Sequence, residues 1–280
     1  MRIRGVVFLL LAVLVACAAP ASRTDTPPSQ RRFVALVPSL AEDLYAIGAG
    51  DRVVGVSQYS DVAPRNVPRV ADFQSVATER IVALHPDVVV GIPSQDRLLE
   101  PLRRAGINVQ LLPDDTYDDI FTDLRTLGEL SGQTTAAHDE IAKLQAQTGR
   151  FQLLAQTFHR HPSVFFALGT GPIWTAGPSS YIGHLISLAG GTDAAQMREP
   201  WGQYSEEALL RAQPDAIVNA NEVRLSAVLD REPWRSLRAV REGHVFTITD
   251  QSIANALYRP GPRYNEGLRW LIERLKPLAQ

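Results

Sequence analysis

The chain has 280 residues, and its 28 Lys and Arg against 30 Asp and Glu give a formal net charge of −2. That balance excludes the strong positive field on which nucleic-acid binding depends. Cys17 is the single cysteine, so no intrachain disulfide supports the fold, and lysine occurs only at Lys143 and Lys276, a compositional bias without functional content.

Arg2 and Arg4 precede an apolar run from Val6 to Val15, followed by Leu14-Val15-Ala16-Cys17. A charged start, a short apolar core and small residues before a cleavage point predict an export signal over residues 1–16. The run falls short of the roughly 20 residues that a membrane-spanning helix needs. Leu14, Ala16 and Cys17 resemble the bacterial lipobox, which implies cleavage before Cys17 and lipid on its sulfur. The alternative is a chance cysteine inside a plain signal peptide. Residues 17–32, rich in Ala, Pro, Ser and Thr, read as a flexible tether that holds a globular body off the membrane.

The body from Phe33 is near the size at which one core gives way to two. Phe33 to Val37 reads as a strand, and Ser39 as the cap of a helix from Leu40 to Ile47, with Glu42 three residues on. Further strands are expected at Val53 to Val56, Val88 to Val90 and Val109 to Leu112, with a helix from Arg97 to Ala105 closed by Gly106. This alternation predicts an α/β lobe with a mainly parallel sheet over residues 33–132. Residues 133–161 form a linker: Thr134 to His159 lacks proline, and Ile141, Leu144, Phe151, Leu154 and Phe158 fall near one helical face. A continuous helix there would reach about 40 Å, and its stiffness implies limited closure between lobes. The alternative is two shorter helices with a break at Gly149. Residues 162–280 repeat the plan, with strands at Val164 to Leu168, Ala216 to Val218 and Val245 to Ile248, and helices from Ser180 to Ala189 and Tyr264 to Leu275.

One segment recurs in the two halves. Glu79 to Val90 and Glu207 to Val218 each carry a glutamate, a Pro-Asp turn (Pro86-Asp87 and Pro214-Asp215) and an apolar strand at identical spacing. Recurrence this far apart indicates two similarly built α/β lobes with a cleft between them rather than a solenoid. Reuse of a common helix-turn-strand unit is the plainer reading.

With these motifs in view, the chain resembles the helix-linked periplasmic substrate-binding proteins of ABC importers for cobalamin, siderophores and haem, and among them the cobalamin binders. The resemblance runs from Phe33 to the C-terminus. It is densest over Val54-Gly55-Val56-Ser57-Gln58-Tyr59-Ser60-Asp61, Val70 to Gln74 and Glu79 to Pro86, with Pro200-Trp201 and Arg259-Pro260-Gly261-Pro262-Arg263 later. It implies docking of Glu79 and Glu207 into arginine pockets on the permease, with Glu206 able to share the second role. That three glutamates merely stabilise their helix starts is compatible with this, since a helix N-terminus favours negative charge. The resemblance also implies a ligand cleft contacted by Tyr59, Phe73, Trp174, Trp201 and Arg259, expected on loops, with Tyr204 and Tyr258 as second choices. Arg263 is expected to anchor its loop to the backbone. Asp250 matches a family carboxylate, although the loop from Gln251 to Tyr258 is longer than in the family.

Other functions find less support in the residues. There is no G-x-S-x-G, no Gly-rich phosphate loop and no telling carboxylate pair, so no enzyme is expected. His85, His138, His159, His161, His184 and His244 show no ligand spacing, and no resident metal or cofactor is expected. The resemblance implies cobalamin or a related corrinoid as the transported ligand; the alternatives are a ferric siderophore served by Arg259 with Arg198 or Arg263, and haem with Tyr59, Tyr204 or Tyr258 as axial ligand.

Overall fold

A computed structural model describes residues 26–72, 74–220 and 224–280 of the protein. The export signal, Cys17, most of the tether and Phe73 lie outside the described residues. The first half runs β1 (Phe33–Ala35), α1 (Pro38–Ala46), β2 (Val53–Ser57), β3 (Arg69–Ala71), α2 (Thr78–Ala83), β4 (Val88–Gly91), α3 (Asp96–Arg104) and β5 (Asn108–Leu111). Its strands form one parallel sheet in the order β3-β2-β1-β4-β5. The central strands β1 and β4 are buried along their whole length, which is why they read as continuous apolar runs. On one face Val34 and Val89 of the sheet pack against Ile81 of α2 and Leu99 of α3.

On the other face lies α4 (Tyr117–Ser131), whose Ile120 and Leu124 join Phe33, Val88 and Leu44 in the main core. Sequence patterning marks no element between Leu112 and Thr134, although the helix carries its own signals. Thr116 and Asp119 form a reciprocal capping box, and Gly132 ends the helix in the left-handed region at φ 69°. The expected cap at Ser39 is corrected: α1 begins at Pro38, no side chain caps it, and Ser39 is buried. Proline at the first helical position supplies the fixed φ and lacks only an N–H that the helix does not use.

The second half comprises α5 (Thr134–Ala155), β6 (Ser163–Thr170), β7 (Ile173–Ala176), α6 (Tyr181–Leu188), β8 (Thr192–Asp193), β9 (Trp201–Gln203), α7 (Glu206–Ala212), β10 (Ala216–Ala220), α8 (Arg238–Arg241), β11 (Val245–Ile248), α9 (Gln251–Tyr258) and α10 (Tyr264–Leu275). The sheet order is β11-β10-β6-β7-β9, with β8 beside β6. β6, β8, β10 and β11 are parallel, whereas β7 and β9 join antiparallel.

The repeated segment has a mechanical role in both lobes. Asp87 Oδ2 accepts from the Arg32 N–H at 2.8 Å while its own N–H donates to the Arg32 carbonyl, fixing the start of β1 beside β4. Asp215 Oδ2 accepts from the Ser163 N–H at 2.8 Å and its N–H donates to the Ser163 carbonyl, fixing β6 beside β10 in the same way. The residue before each proline, His85 at φ 47° and Gln213 at φ 40°, sits in the left-handed region, and these are the only non-glycine residues among those described to do so. A shared backbone strain at matching positions, in a region that side chains avoid, marks the two units as structural equivalents.

The lobes are joined by α5, which runs unbroken through Gly149 for 22 residues, about 33 Å. It stops at Ala155, four residues short of the expected end, because the chain turns there toward β6 and the His159 N–H is taken by the Ala279 carbonyl. Thr148 of α5 lies 2.6 Å from the Tyr264 hydroxyl, which also accepts from the Tyr117 hydroxyl at 3.1 Å. One hydrogen-bonded chain thus links α4, α5 and α10. Around it a single apolar cluster runs from Phe33 and Leu124 through Ile141 and Leu144 to Ile186 and Leu268. Opening the lobes would expose part of that core, so the joint is stiff.

Two carboxylates sit unpaired between α1 and α4. Asp43 is fully buried with neither oxygen hydrogen-bonded, and Asp123 is 2% exposed with Oδ1 unpaired. Burial, and then repulsion from Asp123 and Glu42, holds Asp43 well above the usual carboxylate range. Burial, aided by Asp119 and Asp114, pushes Asp123 up to about 8. An acid raised in the folded state gives stability that is complete below its unfolded pKa of about 4 and is lost as pH rises through the folded value. Asp123→Asn is expected to flatten that loss between pH 4 and 8 and to stabilise the protein at pH 8 by about 1–3 kcal/mol in urea unfolding. An unchanged pH profile would assign the titration elsewhere.

Candidate ligand cleft and docking surface

Parallel sheets bind ligands beyond the carboxyl ends of their strands. In the first lobe that rim carries Tyr59, just past β2; in the second it carries Trp174 on β7, which pairs with Gly169 near the end of β6. Tyr59 is 44% and Trp174 41% exposed, the only large aromatic side chains so exposed among the described residues. Trp174 and Trp201 are not on loops as expected, because β7 and β9 form an antiparallel ribbon with Trp174 opposite Gln203 and Ala176 opposite Trp201. Since alternate residues of a strand share a face, both tryptophans stand on the same side of the sheet, with Trp201 half-buried against the main core. The rings of Tyr204 and Tyr258 lie 5.6 Å from Phe165 and 5.5 Å from Phe166.

Arg259 and Arg263 reach across to the first lobe. Arg259 Nη1 donates to Glu42 Oε1 and Asp61 Oδ1, both at 3.1 Å, and its Nη2 donates to the Tyr59 carbonyl at 3.1 Å. Arg263 pairs with Glu42 Oε2 at 3.2 Å and Asp61 Oδ2 at 3.3 Å, which corrects the expected backbone-anchoring role. Asn255 adds a bond to Asp61 at 2.8 Å. The approach is close enough that a Cβ on Gly261 would lie 3.4 Å from Glu42 Oε2. Burial raises Glu42 above the ordinary range, and the pull of Arg263 and Arg259 only partly offsets it. Partial burial also acts to raise Asp61, but Arg263, Asn255 and Arg259 together outweigh it and leave that carboxyl low. Each arginine therefore shares the same two carboxylates, and the cluster carries no net charge.

The segment from Gln251 to Tyr258 is helix α9 rather than a long loop, and Asp250 is its cap, accepting from the Ser252 N–H at 2.8 Å. Glu79 and Glu207 occupy the second helical position of α2 and α7, and both are exposed. Each helix leads into a parallel strand, so its N-terminus faces the same rim as the cleft. Glu206 precedes Glu207, and Ser205 caps α7 through the Ala208 N–H. No group of three or more His, Cys, Asp or Glu among the described residues is placed to hold a metal ion. His184 stacks on Tyr117 at 4.5 Å, and His161 and His244 bond backbone carbonyls.

Glu42, Asp61 and Asn255 escaped the sequence reading. Glu42 passes as a capping-box partner, and its arginine lies 217 residues away. Removing one member of a buried ion cluster leaves the others uncompensated. Glu42→Ala, at a side chain only 3% exposed, is expected to destabilise the protein by about 3 kcal/mol or more, and Asp61→Asn, 40% exposed, by less than about 1 kcal/mol, in chemical unfolding. Equal losses would mean that the cluster is not held by its buried carboxylate.

Comparison with known proteins follows the same lines. The periplasmic binding protein family matches residues 34–252. The chain is 30% identical to the vitamin B12-binding protein of Vibrio cholerae over 96% of this chain and 98% of that one. It is 27% identical to the ABC transporter substrate-binding lipoprotein YvrC of Bacillus subtilis, covering 96% and 95%. Among solved structures, the Vibrio cholerae vitamin B12-binding protein BtuF superposes with a TM-score of 0.72 at 29% identity, over 89% of this chain and 98% of that one. The haem-binding protein RhuT of Roseiflexus superposes at 0.78 with 24% identity, over 90% and 100%, and shares the fold. Two α/β lobes on one linking helix, facing each other across a rim of exposed aromatics, thus have a family: the chain belongs to the periplasmic binding proteins and is a substrate-binding component of an ABC transporter.

Proposed function

We propose that the protein captures cobalamin or a related corrinoid between its lobes and delivers it to an ABC permease. The observation that carries this reading is the pairing of exposed aromatics with a charge-neutral arginine cluster. Tyr59 and Trp174 offer broad apolar faces from opposite lobes, which suits a disc-like ligand. Arg259 and Arg263 are already matched by Glu42 and Asp61, so the rim has N–H donors without excess positive charge. An uncharged corrinoid rimmed with amides suits such a surface. An anionic siderophore or a haem dipropionate would face two carboxylates beside the arginines. Haem is the second reading, favoured by the phenol of Tyr59 at the rim, a group able to ligate ferric iron.

Calorimetric titration with cyanocobalamin, haem and a ferric siderophore separates these ligands. One-to-one binding of cyanocobalamin, weakened at least about tenfold by Trp201→Ala or Tyr59→Ala, is the expected result. Binding of haem alone, abolished by Tyr59→Phe, would replace the corrinoid with the second reading. Phe73 and Asp250 are ligand-contact candidates on the family resemblance, and alanine at either reports its share in the same titration.

Delivery is assigned to Glu79 and Glu207, whose exposed carboxylates at helix N-termini suit basic pockets on a permease. The double alanine variant is expected to bind ligand normally and to lower uptake by about tenfold or more; normal uptake would remove both residues from docking. Membrane attachment is assigned to lipid on Cys17, and Cys17→Ala is expected to move the protein from the membrane fraction to the soluble one.

A further inference from the structure

The two carboxylates of the cluster that bridges the lobes do not share one task. Glu42 is the buried member, its side chain 3% exposed, and Asp61 is the open one at 40%, with both arginines between these limits. Glu42 by itself spans both guanidiniums. Its Oε1 accepts from Arg259 Nη1 at 3.1 Å and Arg263 Nη2 at 3.4 Å, and its Oε2 accepts from Arg263 Nε at 3.2 Å. Arg259 is further held by the Tyr59 carbonyl, and Arg263 donates to the Ser252 hydroxyl at 3.4 Å. The arginines thus have anchors enough without a second carboxylate.

Asp61 supplies a charge that this geometry does not require. It stands two residues past Tyr59 on the loop after β2, at the rim of the cleft. Its Oδ1 accepts from Arg259 at 3.1 Å, and its Oδ2 from Arg263 at 3.3 Å and Asn255 at 2.8 Å. Partial burial acts to raise its pKa, but Arg263, Asn255 and Arg259 outweigh that and keep the carboxyl ionised at neutral pH. Two guanidiniums against Glu42 alone would leave one positive charge beside the cleft. Asp61 cancels it, and does so from the most solvent-open position in the cluster.

We propose that Asp61 sets the charge class of the ligand: it keeps the arginines as neutral hydrogen-bond donors for an amide-rimmed molecule and turns carboxylate-bearing ones away. This rests on the cleft described under the proposed function. Asparagine has the same shape and retains one acceptor oxygen, so Asp61→Asn removes the charge and leaves Glu42 to hold both arginines. A unit charge about 7 Å from an anion, at an effective dielectric constant of about 20, is worth well over tenfold in affinity. Partial exposure reduces this to about tenfold at low salt.

The test is calorimetric titration of the full chain with three probes: cyanocobalamin, its monocarboxylic acids (one peripheral amide hydrolysed to a carboxylate) and haem, a dipropionate. In Asp61→Asn the affinity ratio of acid to amide is expected to rise about tenfold over the unaltered protein, and haem to bind about tenfold more tightly. Asp61→Glu, which restores the charge, is expected to keep the original ratio. Both gains should shrink between about 10 mM and 1 M salt, as the screening length falls from about 30 Å to 3 Å. A residue that only held its loop in place would weaken acid and amide alike, with no such salt dependence, and that result would overturn the proposal. So would an unshifted ratio, or no gain for haem. Failure of cyanocobalamin to bind the unaltered protein would remove the corrinoid reading by itself, and the haem titrations would still decide the role of Asp61.

Discussion

Glu42 has lost nearly all its water, and a carboxylate in that position persists only beside positive charge. It sits on the first helix of the first lobe, 3% exposed, and its partners Arg259 and Arg263 come from the last loop of the second. Satisfying it brings Gly261 against α1, places the Arg259 guanidinium under the Tyr59 carbonyl and draws Asp61 and Asn255 into one cluster. The position of the cleft floor follows from that single requirement. So does its polarity, because two guanidiniums held by two carboxylates offer hydrogen bonds without net charge. A buried ion cluster is weak as a source of stability but strong as a constraint on geometry, since any other arrangement leaves a bare charge.

The same interface is sealed by apolar contact. Helix α5 contributes Ile141 and Leu144 to a core that includes residues of both lobes, and the Tyr117–Tyr264–Thr148 chain ties three helices from the two halves. With a continuous helix as the only covalent connection, large hinge closure has no soft element to act on. A rigid spacing has a consequence for delivery. Glu79 and Glu207 ride on separate lobes at equivalent helix positions, so the distance between them is set by the lobe interface and not by the ligand. On the docking role proposed for them, a receptor with two basic pockets would meet the pair at a fixed spacing.

The two Pro-Asp turns show how far a repeat in sequence can be read. Their spacing was legible, and the glutamates at their heads were the obvious feature. The aspartates have the structural task, holding the starts of β1 and β6 in register through paired backbone bonds. The left-handed residue before each proline carries no composition signal at all, since histidine and glutamine stand there instead of glycine. Helix α4 was missed for a related reason: its capping box uses aspartate where glutamate or glutamine is usual, and its buried side includes the polar Asp123.

Sequence alone determined what is local. Apolar runs bounded by turn residues placed nearly every parallel strand; the absence of breakers and the spacing of apolar residues gave the linking helix; the doubled unit gave two lobes. These follow from periodicity and backbone preference, which act over a few residues. Only the tertiary structure decided how the cleft is built. Trp174 and Trp201 share a face because β7 and β9 pair in one register, and no pattern within either strand specifies that partner. Arg259 turns toward Glu42 and Asp61 because the two lobes pack, an outcome fixed by contacts some 200 residues apart along the chain. Charge compensation is a property of three-dimensional proximity, and a sequence shows the charges without showing which of them meet.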